Sequence, residues 1–145
     1  MNAAKHGAKF IDVHNAAIRV IAEHLSEWGI LPVSVEETLS DEGGQFRRWM
    51  VHGTSHHLGI DVHDCAQARR KVYRDGTLKA GMIITVEPGI YFKSTDLMIP
   101  EEFRGIGIRI EDDILITKDG YRNLSGDFPR DPDAVEAWMA EVQSR

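Results

Sequence analysis

The sequence predicts a single α+β domain, and three observations carry that prediction. Apolar residues recur at helical spacing near the start, short β-branched runs occupy the second half, and capping signals mark a closing helix. A chain of 145 residues suits one ordinary core and leaves no room for a second sizeable domain.

The first element follows from Val13, Ala16, Ala17, Val20, Ile21, Leu25 and Trp28, which recur at three- and four-residue intervals between Asp12 and Trp28. Such spacing predicts an amphipathic helix, with Asp12 as N-cap and Gly29 as its stop. After Pro32, the stretch Ser34 to Leu39 predicts a short helix opening on Ser34, and Asp41, Gly43 and Gly44 a polar turn. Met82 to Val86 and Gly89 to Phe92 are apolar runs separated by Pro88, which predicts two strands meeting at a bend or bulge.

Gly105 to Thr117 is the clearest strand signal. In Ile106-Gly-Ile108-Arg109-Ile110-Glu111 the isoleucines share one face, expected to pack, and Arg109 and Glu111 share the other, free for chemistry. A turn is expected at Asp119-Gly120. Asp131-Pro132-Asp133 places an N-cap, an N1 proline and early acidic charge before Ala134 to Val142, predicting a terminal helix. No short-period repeat, low-complexity tract or linker interrupts this plan.

Composition narrows the function classes. Lys and Arg number 17 against 23 Asp and Glu, for a net charge of −6, so no basic excess advertises nucleic acid or anionic lipid. No apolar stretch approaches the roughly 20 residues of a membrane-spanning helix. The lone Cys65 cannot form an internal disulfide, and Met1 to Phe10 carry no apolar leader-like run, so a reducing cytoplasm is the expected location.

Four of the seven histidines, His52, His56, His57 and His63, fall within Val51 to Asp64. Gly53 and Gly59 argue against a helix there, at about 1 kcal/mol each relative to alanine. His52 and His56 are therefore not a helical i, i+4 zinc pair, and a loop or irregular strand carrying imidazoles to a cleft is the better expectation. Glu87 closes the run Met82 to Val86, where an apolar neighbourhood makes a carboxylate costly unless it is paired or bound to metal. Glu111 holds a comparable place after Ile110, and a plain Arg109–Glu111 ion pair is the bland alternative for that residue. Histidine with two carboxylates suits harder divalent ions such as manganese, cobalt or iron, and a lone cysteine supplies no thiolate zinc site.

Three blocks also carry a family likeness: His52-Gly-Thr-Ser-His56-His-Leu-Gly-Ile-Asp-Val-His63-Asp64, Thr85-Val-Glu87-Pro-Gly-Ile-Tyr91 and Arg104-Gly-Ile-Gly-Ile-Arg109-Ile-Glu111-Asp112-Asp113. Together, and with weaker similarity at Asp12 to Ala17 and Phe46 to Met50, they resemble the C-terminal half of an Xaa-Pro aminopeptidase catalytic domain, of the pita-bread metallopeptidases. The resemblance implies that residues 1–145 form that C-terminal part, a curved antiparallel-rich sheet with flanking helices. It implies two divalent ions, manganese first, with cobalt, iron or zinc as alternatives. His56, Glu87 and Glu111 would be metal ligands, with Glu111 bridging the two ions and Glu87 also moving the proton.

By the same resemblance, His52 and His63 would position the scissile group and assist proton movement, Arg109 would support the site beside Glu111, and His57 would stand outside the chemistry. Two further aspartate ligands would come from an N-terminal half, a required partner, leaving this chain weak in metal binding and inactive alone. The substrate implied is a peptide with proline in second position, and a homo-oligomer is compatible with the family. Prolidase, which takes Xaa-Pro dipeptides, and a non-catalytic pita-bread binding module are the alternatives.

Overall fold

The computed structural model of the chain describes residues 1–64 and 69–144; Cys65 lies outside the described residues. Helix α1 runs Phe10–Glu27. It begins three residues before the expected start, with Lys9 rather than Asp12 as N-cap: the Lys9 N–H donates to Asp12 Oδ2 at 2.9 Å, so Asp12 acts from the third helical position. Trp28 caps the end, and Gly29 takes a left-handed φ of 68° just beyond, as expected of the stop residue. The second helix, α2 (Val35–Leu39), opens on Ser34, whose hydroxyl accepts from the Glu37 N–H at 3.1 Å. A 3-10 turn, Gln45–Arg48, follows the glycine pair.

The strands form two antiparallel systems. Strands β1 (His57–Leu58), β2 (Ile83–Val86), β5 (Asp112–Thr117) and β6 (Gly120–Asn123) lie side by side in the order β1-β2-β5-β6. Strands β3 (Gly89–Tyr91) and β4 (Gly107–Arg109) form a separate two-stranded ribbon. The expected bend at Pro88 is present, and it sends β2 and β3 into different sheets.

The strand region expected from Gly105 to Thr117 holds two strands, parted at Ile110 and Glu111. Thr117 pairs with Gly120, so the tight turn falls on Lys118-Asp119, one residue before its expected place. A short helix α3 (Arg70–Arg74) and a 3-10 turn at Glu101–Phe103 were not anticipated.

Helix α1 serves two cores. Its first turns place Phe10 and Val13 with Leu78, Ile84, Val86, Ile114 and Ile116 against the four-stranded sheet. Its last turns place Ile21, Ala22 and Leu25 with Leu31, Phe46, Trp49 and Met50. Full burial of such aliphatic and aromatic side chains is worth about 1.5–3 kcal/mol each.

The second core is tied down by Asp96, which accepts from Arg48 Nε and Nη2 at 2.7 Å each, from Trp49 Nε1 at 3.1 Å and from the Met98 N–H at 3.0 Å. The Arg48 fork holds the Asp96 carboxyl far below the usual range despite burial that would raise it. Helix α4 (Pro132–Gln143) is capped by Asp131 as expected but buries no residue.

The isoleucine stripe departs from expectation. Ile106, Ile108 and Ile110 are 44%, 61% and 45% exposed, because their face is not covered. They line an apolar groove of about 290 Å³ together with Ile21 of α1 and its C-cap residue Trp28.

Candidate metal centre

The site grows from the place where the pairing ladder is interrupted without a change of register. Val86 pairs with Asp112, and Gly89 pairs with Arg109. Between these pairs each chain carries two residues outside the ladder, Glu87-Pro88 on one side and Ile110-Glu111 on the other. Proline has no N–H to continue a ladder, so the opening at Pro88 follows from its chemistry. Both carboxylates stand at this seam.

Histidine reaches the seam from β1. The chain before His57 continues beside β2, with the Thr85 N–H donating to the His56 carbonyl at 2.9 Å and the Glu87 N–H to the Thr54 carbonyl at 2.7 Å. Thr85, fully buried, ties the two ligand candidates together: its hydroxyl accepts from the His56 N–H at 3.0 Å and donates to Glu87 Oε1 at 3.2 Å. His56 Nδ1 donates to the His57 carbonyl at 3.1 Å, which leaves Nε2 as the coordinating nitrogen. That Nε2 stands 3.3 Å from Glu87 Oε1.

One donor atom from each of His56, Glu87 and Glu111 lies within 4.8 Å of the others. Two donors sharing an ion at roughly 2.1 Å each stand at most about 4.2 Å apart, so this set is close to one coordination sphere. Burial grades across it: Glu87 is 9% exposed, whereas Glu111 faces solvent. A buried carboxylate beside an imidazole nitrogen, with oxygen donors in the majority, is a donor set that fits a hard divalent cation.

Of the remaining candidates, His63 and Arg109 meet this triad, and His52 stands with Tyr91. The His63 ring meets the His56 ring edge-on at 4.5 Å. Arg109 Nη1 lies 3.7 Å from Glu87 Oε2, so its charge is directed at Glu87 rather than at Glu111. His52 Nδ1 donates to the Gly53 carbonyl at 2.7 Å, and its Nε2 accepts from the Tyr91 hydroxyl at 2.8 Å. His57, expected outside the chemistry, packs instead, stacked on Phe10 at 5.0 Å and edge-on to Tyr73 at 5.2 Å. Burial is the main cause holding the His57 imidazole below its usual pKa.

A cleft of about 740 Å³ opens beside His52, between α1 and the Gln45–Arg48 turn, with His14, Arg47 and Arg74 among its lining residues. His14 Nδ1 is 3.0 Å from Thr54 Oγ1, and burial, then the charges of Arg74 and Arg47, push its pKa down.

Residues 1–118 match metallopeptidase family M24. The chain belongs to that family. Xaa-Pro aminopeptidase 1 of Streptomyces coelicolor is 58% identical over 141 residues, which is 97% of this chain and 28% of that protein. Aminopeptidase P from Escherichia coli with the inhibitor Pro-Leu superposes with a TM-score of 0.86 at 36% identity, covering 99% of this chain and 32% of that one. The zinc-substituted form of the same enzyme, in complex with product, superposes at a TM-score of 0.84 and 38% identity, over 95% of this chain and 30% of that one.

This M24 chain therefore spans about a third or less of the relatives it matches. Its mixture of helix and antiparallel sheet is the corresponding portion of the pita-bread fold. M24 membership implies divalent metal, and His56, Glu87 and Glu111 are the cluster that fits it among the described residues. Sequence reasoning missed Thr85 and Tyr91 as contributors. Both lie inside the Thr85 to Tyr91 block, and a hydroxyl two residues from Glu87 on the same strand face was the available signal for Thr85.

Proposed function

We propose that this chain forms the C-terminal catalytic part of a dinuclear-metal Xaa-Pro aminopeptidase, which releases the first residue from peptides with proline second. The observation that carries this reading is the convergence of His56, Glu87 and Glu111 at the seam between the two sheets. His56 Nε2, Glu87 and Glu111 would hold the ions, with Glu111 a ligand to both; the donor set suits a harder divalent ion, and the family likeness puts manganese first. Bound there, a pair of divalent ions supplies a nucleophilic water at neutral pH and polarises the scissile carbonyl.

The chain's own groups do the rest. Thr85 orients the Glu87 carboxylate, which takes a proton and passes it to the leaving nitrogen. Arg109 balances the charge of Glu87. His63, beside His56, and His52, bonded to Tyr91, would position the scissile group and assist proton movement. A dedicated site makes sense for this substrate, since an Xaa-Pro bond is a tertiary amide with no N–H and a fixed ring.

Two further aspartate ligands come, on this reading, from an N-terminal half of the catalytic domain. The single cysteine supports a reducing, cytoplasmic setting.

The test is manganese uptake and hydrolysis by the intact protein, with an Xaa-Pro tripeptide and an Xaa-Pro dipeptide offered separately. Cleavage of the tripeptide is expected, with the 145-residue chain alone inactive. Cleavage confined to the dipeptide would make it a prolidase. Neither manganese or cobalt uptake nor cleavage would leave a non-catalytic binding module and overturn the enzyme reading.

A further inference from the structure

Glu111 is an exposed residue whose carboxylate must nevertheless stand within reach of His56 and Glu87. What places it is the backbone on either side. Upstream, Arg109 pairs with Gly89, and the Ile110 N–H reaches the Pro88 carbonyl only at 3.4 Å. Downstream the hold is far stronger.

Asp112 is 2% exposed, and its carboxylate is fully engaged. Oδ2 accepts from Arg130 Nε at 3.0 Å, and Oδ1 accepts from Ser125 Oγ at 2.6 Å and from Arg130 Nη2. The same guanidinium donates to the carbonyls of Ser125 and Phe128 at 2.9 Å each and of Gly126 at 3.3 Å. The segment it gathers closes back on the strand, because the Asp113 N–H donates to Ser125 Oγ at 3.0 Å and the Leu124 N–H to the Asp113 carbonyl at 2.8 Å. Arg130 thus locks a loop from the far edge of the sheet onto the residue that follows Glu111.

We propose that Arg130 is a positioning residue for the Glu111 carboxylate, acting through Asp112 to fix the end of the seam from which Glu111 reaches the triad. The inference rests on the reading of His56, Glu87 and Glu111 as metal ligands. A planar fork with five donors can serve a carboxylate and several carbonyls at once, and an ammonium cannot reproduce that geometry. The loop is a support for the ligand; loss of a group bonded directly to a metal ligand typically weakens binding by about 10- to 100-fold, and Arg130, one residue removed, belongs at the low end of that range.

The experiment measures Mn2+ affinity by calorimetric titration, and amide exchange at Asp113, in the intact protein and in Arg130→Ala, Arg130→Lys and Asp131→Ala. Arg130→Ala should bind Mn2+ about tenfold more weakly or worse and exchange the Asp113 amide faster; Arg130→Lys should fall between it and wild type.

Asp131→Ala removes the neighbouring helix cap, in which Asp131 Oδ1 accepts from Asp133 and Ala134, and leaves Asp112 alone. Its Mn2+ affinity should stay within about twofold of wild type, which separates positioning from general destabilisation. If Arg130→Ala does not fold, Arg130→Lys decides.

Unchanged Mn2+ affinity in the folded Arg130 variants overturns the proposal, as does an equal loss in Asp131→Ala. Wild-type protein that takes up no Mn2+ overturns the ligand assignment itself, a different result from wild-type uptake that the variants preserve.

Discussion

The four-stranded sheet and the β3–β4 ribbon are built from the same kind of sequence and reach opposite outcomes. Along β5, Asp112, Ile114 and Ile116 are buried in alternation with half-buried Asp113, Leu115 and Thr117. Along the ribbon, Ile106, Ile108 and Ile110 alternate just as strictly, yet each is 44% exposed or more. Period-2 alternation states which residues share a face; it does not state whether anything covers that face. Helix α1 covers the sheet with Phe10 and Val13, whereas on the isoleucine side of the ribbon Ile21 and the C-cap residue Trp28 line an open groove. The triad sits at the seam between these regions, so one carboxylate is buried with the sheet and the other is left exposed.

The largest effect is expected in the closed region. Ile114 is 0% exposed at the centre of the sheet core, so Ile114→Ala should cost about 3–4 kcal/mol through lost burial and a residual cavity, read as a fall in denaturation midpoint at constant slope. A cost below about 1 kcal/mol would mean that the sheet is no better packed than the ribbon, and the contrast would collapse.

Next comes the tie that anchors the loop joining the ribbon's two strands. Asp96→Asn, which removes a charged partner from Arg48 and Trp49, should cost about 2 kcal/mol at neutral pH. Its pH dependence has a definite sign. The folded carboxyl is depressed, so its contribution is fully present above the unfolded value near 4 and is lost as pH falls below it. Wild type and Asp96→Asn should therefore converge in stability on acidification; parallel curves between about pH 5 and pH 2 would remove Asp96 from the acid response.

At the seam itself, Thr85→Val keeps shape but strips the hydroxyl that joins His56 to Glu87. The expected cost is about 1 kcal/mol of stability, with Mn2+ affinity in the intact protein falling about tenfold. Affinity unchanged beside a measured stability loss would confine Thr85 to a structural role.

These regions also differ in how far the sequence exposed them. Ser34 and Asp131 announced their helices because a cap is a contact over two or three residues. Asp12 was recognised as a start signal, but its side chain caps from inside the first turn, so the boundary moved to Phe10. Glu87 and Glu111 were legible because a carboxylate beside β-branched runs is chemically out of place. Their convergence with His56 was visible only through family likeness, since it depends on pairing Val86 with Asp112 across 26 residues of chain. Arg130, on the loop beyond β6, gave no local sign of its grip on Asp112. The exposure of the isoleucines was illegible for a different reason: composition and period are the same whether or not another surface lies on the face.

The smallest effect is therefore the most discriminating. Ile108 is 61% exposed, so Ile108→Ala in the 145-residue chain should change stability by no more than about 0.5 kcal/mol. In the intact protein, a segment seated on the groove would bury that side chain, and the same substitution should then cost about 1–3 kcal/mol. Leu115, half-buried within the sheet, provides the internal control: Leu115→Ala should cost a similar amount in both settings, because its neighbours on β2 and β6 belong to this chain. Equal costs for Ile108→Ala in the two settings would mean that nothing covers the ribbon, and the isoleucine face would then be an open surface of the folded protein.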